Sequence, residues 1–200
     1  VSKSDRSIIR KNKLKRLTFM TGERLRDGFW LTVKYIFLAG SLALIIRGFF
    51  LIPVPVEGTS MQSTLNQGDF ILMEKFSSVE RFDVIVFQRP DGTTYIKRVI
   101  GLPGETVSYR EGKLYINDEK VSEDFLKENL AQDEERLPFT NDFEFQELMG
   151  VKKLGKDSYF VLGDNRRLSK DSRSFGAISG DNILGKARFV YYPFSHIRFV

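Results

Sequence analysis

From Trp30 to Ile52 the sequence WLTVKYIFLAGSLALIIRGFFLI carries only two charges, Lys34 and Arg47. A helix of about 22 residues is roughly 33 Å long, enough to cross the hydrocarbon core of a bilayer. The charge-free part, Tyr35 to Ile46, is too short alone, so Lys34 and Arg47 must lie near opposite interfaces and extend their stems toward water. A buried core helix is the competing reading, but a segment apolar on all sides beside a basic arm suits a bilayer better. The run closes on Ile52 Pro53 Val54 Pro55 rather than on small residues, which predicts a retained anchor instead of a cleaved leader. Residues 1–28 hold nine Lys or Arg against three acids. That asymmetry puts the N-terminal side in the cytoplasm, with Trp30 and Tyr35 at the inner interface. The expected organisation is a basic cytoplasmic arm at 1–28, a transmembrane anchor at 29–52 and an extracytoplasmic domain at 53–200. The expected location is therefore the cell membrane, with a single pass.

The net charge of +5 is concentrated in that arm, where Arg10, Lys11, Lys13, Lys15 and Arg16 have few aromatic residues among them to stack on bases. The pattern argues against nucleic acid as a partner. There is no cysteine, which removes thiolate nucleophiles and zinc fingers. His196 is the only histidine, so a Ser-His-Asp triad has one residue to build on and a transition-metal site is not expected.

Beyond the anchor, short β-branched or aromatic runs predict strands at Asp69 to Met73, Asp83 to Phe87, Tyr95 to Ile100, Thr106 to Tyr109, Lys113 to Ile116, Tyr159 to Leu162 and Ala187 to Tyr192. Turn signals separate them at Pro90 Asp91 Gly92, Pro103 Gly104, Asn117 Asp118 and Gly163 Asp164 Asn165. Residues 119–150 are acidic and richer in helix formers. The fold class is mainly β: a barrel or sandwich-like catalytic domain with a small, partly helical insertion, preceded by one transmembrane helix.

A serine hydroxyl needs a base, and without a cysteine or a usable histidine the candidates are lysine and the carboxylates. Lysine serves when neutral, which requires burial; moving its pKa from about 10.4 to about 8 takes roughly 3 kcal/mol. Lys97 alternates with Ile96 in a predicted strand, so it can point inward. Ser60 follows the extended stretch Val54 Pro55 Val56 Glu57 and the small residues Gly58 and Thr59, a setting for a sharp exposed turn. Spacing alone does not choose between this pair and an ordinary turn serine with a solvent-facing lysine.

Four blocks in order do choose: GTSMQSTL from Gly58 to Leu65, GDFILMEK from Gly68 to Lys75, RFDVIVFQ with YIKRVIGLPGE from Arg81 to Glu105, and GDNRRLSKDSRSFG from Gly163 to Gly176. In these the chain resembles bacterial type I signal peptidase, a serine-lysine dyad family, from the anchor to the C-terminus. The resemblance implies a membrane-bound serine endopeptidase that removes signal peptides from exported preproteins beside the secretion translocon, with no cofactor and no metal. It implies Ser60 as nucleophile, Lys97 as general base, Ser169 orienting the lysine amine by a hydrogen bond, and Asp171 with Arg173 as a supporting ion pair.

Two departures stand out. The family's S M x P T L becomes Ser60 Met61 Gln62 Ser63 Thr64 Leu65, with Ser63 for the proline. Gly58 occupies a position where some members carry a serine donating to the oxyanion hole, so the hole rests on the Ser60 N–H with a second donor from Gly58 or water. An extended substrate can add as a strand between Val54 to Glu57 and Tyr95 to Lys97, and the resemblance places Val56 and Ile96 in the walls of small-residue pockets. The rivals are a catalytically inactive relative assembling surface fibres, which lacks the dyad, and a self-cleaving SOS-type repressor, which carries a DNA-binding domain in place of the span.

Overall fold

A computed structural model describes residues 26–44, 52–131, 133 and 138–200. Two compact units divide the chain, Val1–Gly48 and Phe49–Val200. In the first, residues 26–44 form helix α1, exposed along almost its whole length. Among the described residues no helix is long and apolar enough to cross a membrane. The described helix contains Arg26, Asp27 and Lys34. The expected anchor's residues 45–51, and residues 1–25 of the basic arm, lie outside the described residues.

The second unit is mainly antiparallel β-structure. In chain order its strands are β1 (Ile52–Pro55), β2 (Phe70–Glu74), β3 (Val84–Gln88), β4 (Thr94–Gly101), β5 (Val107–Arg110), β6 (Lys113–Ile116), β7 (Glu119–Val121), β8 (Ser158–Leu162), β9 (Ile178–Ser179), β10 (Ile183–Tyr192) and β11 (Arg198–Phe199). One sheet runs β1-β2-β10-β3-β4-β8-β9 with β11 paired to β10, and a second runs β5-β6-β7. The short helices are α2 (Lys127–Ala131), α3 (Phe145–Met149) and α4 (Ser172–Phe175). The 119–150 insertion contributes α2, α3 and a 3-10 turn at Asp124–Leu126, and it opens with β7, which the expectation of helix formers did not include.

The larger sheet is covered on both sides. Along β3, Val84 and Val86 pack with Val56, Met61, Leu65 and Ile71, while Ile85 and Phe87 pack with Val99, Val161 and Ile178. A strand's side chains alternate between faces, so its unbroken apolar run signals burial on both. β1 overlaps the expected extended stretch Val54 to Glu57, and its Pro53 and Pro55 cannot donate to a ladder. Among the described residues it is an end strand of the sheet, paired to β2 alone, and that is where prolines are tolerated.

Two features of the sheet position the site. Val56 continues the β1–β2 ladder, its N–H donating to Asp69 O at 2.8 Å and its carbonyl accepting from Gly68 N at 3.0 Å, and the chain then turns away. β4 pairs with β3 from Thr94 to Arg98 but meets β8 only from Arg98 onward. Among the described residues the stretch Thr94 to Lys97 therefore has a strand on one side only.

Candidate active site

After Val56 the chain reverses through Gly58, whose φ of +79° is a left-handed conformation suited to glycine. It then enters a helical turn in which Gln62 N–H donates to Thr59 O and Leu65 N–H to Met61 O. Met61 and Leu65 are buried anchors of this turn, at 2% and 0% exposure, which leaves Ser60 half-buried at its start. Met61 is thus a core residue.

Lys97 stands on β4 facing the same side as Tyr95 and Val99, with Ile85 as its cross-strand partner. It is 2% exposed. Its amine lies 2.6 Å from Ser60 Oγ and donates to its neighbour's carbonyl, Ile96 O, at 3.0 Å. Burial holds the Lys97 pKa down at about 8 against an ordinary 10.5, and the nearby carboxylates of Asp171 and Asp164 pull it partly back up. A lysine in this state gives up its proton more readily than an exposed one, and its amine stands within hydrogen-bond distance of the Ser60 hydroxyl.

Asp171 is fully buried. It accepts from Nε and Nη2 of the Arg173 guanidinium at 2.9 and 2.8 Å and from Gly163 N–H at 3.1 Å, and it caps α4 by accepting from Arg173 N–H. Arg173 also donates to Arg166 O at 2.7 Å. The pair therefore fastens the Gly163 loop to α4, a tie that an exposed pair could not make at comparable strength.

Ser169 Oγ is buried and has no hydrogen-bond partner among the described residues, while the Lys97 amine bonds to Ser60 and Ile96. Ser169 lies against Gly163: a Cβ at that glycine would collide with the Ser169 side chain and with the Ser60 carbonyl. The missing side chain is what lets the 163 loop approach the Ser60 backbone.

The four remaining candidates line one cleft. Val56, Glu57, Tyr95 and Ile96 border a cavity of about 670 Å³ together with Gly58, Ser60, Lys97, Leu168 and Lys170. Val56 and Ile96 reach it from the core that they share. His196 stands elsewhere, with Nδ1 2.9 Å from the buried Asp69.

Sequence reasoning missed the scaffold under Ser60 and Lys97. Arg98, next to Lys97 on the opposite face of β4, is 6% exposed and forms a two-pronged pair with fully buried Asp164 at 2.9 and 2.7 Å. Thr64 Oγ1 donates to the same carboxylate at 2.5 Å. Asn165 N–H donates to Ser60 O at 3.0 Å, and its amide donates to Thr59 O at 3.3 Å. Removing one partner of a buried pair like Arg98–Asp164 typically costs about 3 to 5 kcal/mol. Asp164 and Arg98 sit inside the quoted blocks, so the blocks were the available signal. Asn129, whose side chain bonds Gln62, Ser63 and Asp164, lies outside every block.

Comparison with known proteins gives one answer. Residues 29–192 match the family described as signal peptidase, peptidase S26. Signal peptidase I V of Bacillus subtilis (strain 168) is 42% identical over 169 residues, covering 80% of this chain and 96% of that protein. Signal peptidase IB of Staphylococcus aureus (strain MRSA252) is 36% identical over 166 residues, covering 79% and 86%. The crystal structure of a signal peptidase I from Enterococcus faecalis V583 is similar at a TM-score of 0.52 and 41% identity, covering 55% of this chain and 97% of that one.

Proposed function

Because the chain belongs to the signal peptidase, peptidase S26, family and is a serine endopeptidase that removes signal peptides, we propose that Ser60 is its nucleophile and Lys97 its general base. The observation that carries the reading is the 2.6 Å contact between Lys97 Nζ and Ser60 Oγ, made by a buried lysine whose pKa is lowered to about 8. Neutral Lys97 takes the hydroxyl proton as Oγ attacks the scissile carbonyl, then returns it to the leaving amine, and a water hydrolyses the acyl-enzyme with Lys97 again as base. The developing oxyanion is held by the Ser60 N–H with a second donor from Gly58 or a water. Two groups in hydrogen-bond contact speak against an inactive assembly partner.

Substrate binding follows from the two unpaired edges. A signal peptide's extended C-terminal segment adds between Val56–Glu57 and the free side of Tyr95 to Lys97, held by backbone hydrogen bonds, with Val56 and Ile96 limiting the side chains admitted. The apolar segment 29–52 is the single membrane anchor, with the basic arm in the cytoplasm and residues 53–200 outside, beside the translocon. Support for a lipid-facing surface comes from Phe70, register partner of Pro55, whose ring packs with Tyr191 and Tyr192 next to Phe194, itself 80% exposed. Protease added outside intact cells should reach residues beyond Pro53 and spare the arm; a protected C-terminal domain reverses the orientation. For the chemistry, Ser60→Ala and Lys97→Ala should each abolish preprotein processing by the detergent-solubilised chain while leaving it folded. Lys97→Arg should fail as well, since guanidinium does not deprotonate. Normal turnover by Ser60→Ala refutes the assignment.

A further inference from the structure

The residue after Gln62 is Ser63, where the resembling pattern has proline. Proline would fix φ and stiffen the chain just beyond the nucleophile; serine does neither. The structure supplies a different restraint. The side chain of Asn129, on α2 of the insertion, reaches two loops at once. Its Nδ2 donates to Gln62 O at 2.6 Å and to Asp164 O at 3.2 Å, and its Oδ1 accepts from Ser63 Oγ at 2.8 Å and from Ser63 N–H at 3.4 Å. Both amide hydrogens and the carbonyl oxygen are thereby used, each on the nucleophile loop or on the 163–165 loop that braces it. A proline at 63 has neither the hydroxyl nor the N–H that Asn129 accepts from.

We propose that Asn129 is a positioning residue for the nucleophile, clamping the Ser60 loop to the Asp164 loop in place of the stiffness that Ser63 does not provide; this rests on Ser60 being the nucleophile. The clamp acts on geometry alone. Asn129 is not among the residues lining the substrate cleft, and the Lys97 amine bonds to Ser60 and Ile96 rather than to it. What it holds is the path from Gln62 to Asp164, and Ser60 Oγ is in line with Lys97 only while that path is fixed. Small misplacements of a reacting group are expensive in rate, up to about a hundredfold per ångström.

The test is steady-state processing of a preprotein by the detergent-solubilised full chain. Asn129→Ala should lower kcat roughly tenfold while KM stays within about twofold, because binding is not what the clamp serves. The pH midpoint should not move, since Lys97 keeps its burial. The decisive arm is a double-mutant cycle: in the Ser63→Pro background, where the ring supplies the restraint, Asn129→Ala should cost under about twofold. An unchanged kcat in Asn129→Ala, or an equal loss in both backgrounds, overturns the clamp. Should Asn129→Ala fail to fold, Asn129→Asp keeps the acceptor for Ser63 and removes both donors, and its kcat should fall about threefold or more; a folded, fully active Asn129→Asp overturns the clamp equally. Ser60→Ala belongs in the same series. If it turns over, the nucleophile is wrong; if it is dead while Asn129→Ala is unimpaired, the clamp alone fails.

Discussion

Replacing Lys97 by methionine should make the protein more stable while destroying its activity. The reason is the environment that lowers the pKa from 10.5 to about 8. At roughly 1.4 kcal/mol per unit, holding this lysine charged in the fold costs about 3 kcal/mol relative to the unfolded chain. Between pH 8 and 10.5 the unfolded state binds the extra proton, so the parent gains stability as pH rises through that window and carries the full cost below it. Methionine is unbranched and of similar length, so it can fill the same space with no charge to desolvate. It forfeits the contacts to Ser60 Oγ and Ile96 O, about 1 kcal/mol of net hydrogen bonding. The net gain at pH 7 is then about 2 kcal/mol, or roughly 4 to 8 °C in Tm for a chain of this size. The assay is thermal and urea unfolding of parent and Lys97→Met side by side at pH 7 and at pH 10.5, where comparing the two cancels every other titration. The advantage of the variant should shrink by about 3 kcal/mol over that range. A variant no more stable than the parent at pH 7, or a gap that does not narrow, refutes the claim that burial strains this lysine.

Two further outcomes follow from the site. Gly163→Ala should cut kcat/KM by roughly a hundredfold, because the added Cβ meets the Ser169 side chain and the Ser60 carbonyl and must push the nucleophile's backbone aside; parental activity in that variant would mean the loops do not meet closely. Val56→Ala or Ile96→Ala should raise cleavage of preproteins with Val or Leu at the small-residue positions about tenfold or more, and unchanged selectivity in both would remove these residues from the pockets.

Much of the fold could be read in the residues. β6 falls at Lys113–Ile116 as expected, and β2, β3 and β5 shift by a single residue at each end. These are alternating or β-branched runs bounded by glycine, asparagine or aspartate, for which local signals and tertiary demand agree. The expectation failed where they conflict. β10 begins at Ile183, four residues early, because Gly185 and Lys186 interrupt the apolar run although Lys186 is buried against Asp83 at 2.9 Å. β9 and β11 are two residues long and carry no pattern of their own. In the site, the juxtaposition of Ser60 and Lys97 was legible through the ordered blocks and the alternation of Lys97 with Ile96. The Arg98–Asp164 pair and the reach of Asn129 were not, since both depend on how distant loops fold back. For Ser169 the expected role came from resemblance alone, and its buried hydroxyl has no partner among the described residues.

The central claim is that a neutral, buried Lys97 takes the proton from Ser60, and the pH dependence of kcat/KM reads it directly. With a folded preprotein substrate and the solubilised full chain, the rate should rise with unit slope from pH 6, pass its midpoint near the lysine's pKa of about 8 and level off above it. A profile flat from pH 6 to 10, or one that falls across that range, contradicts a lysine base.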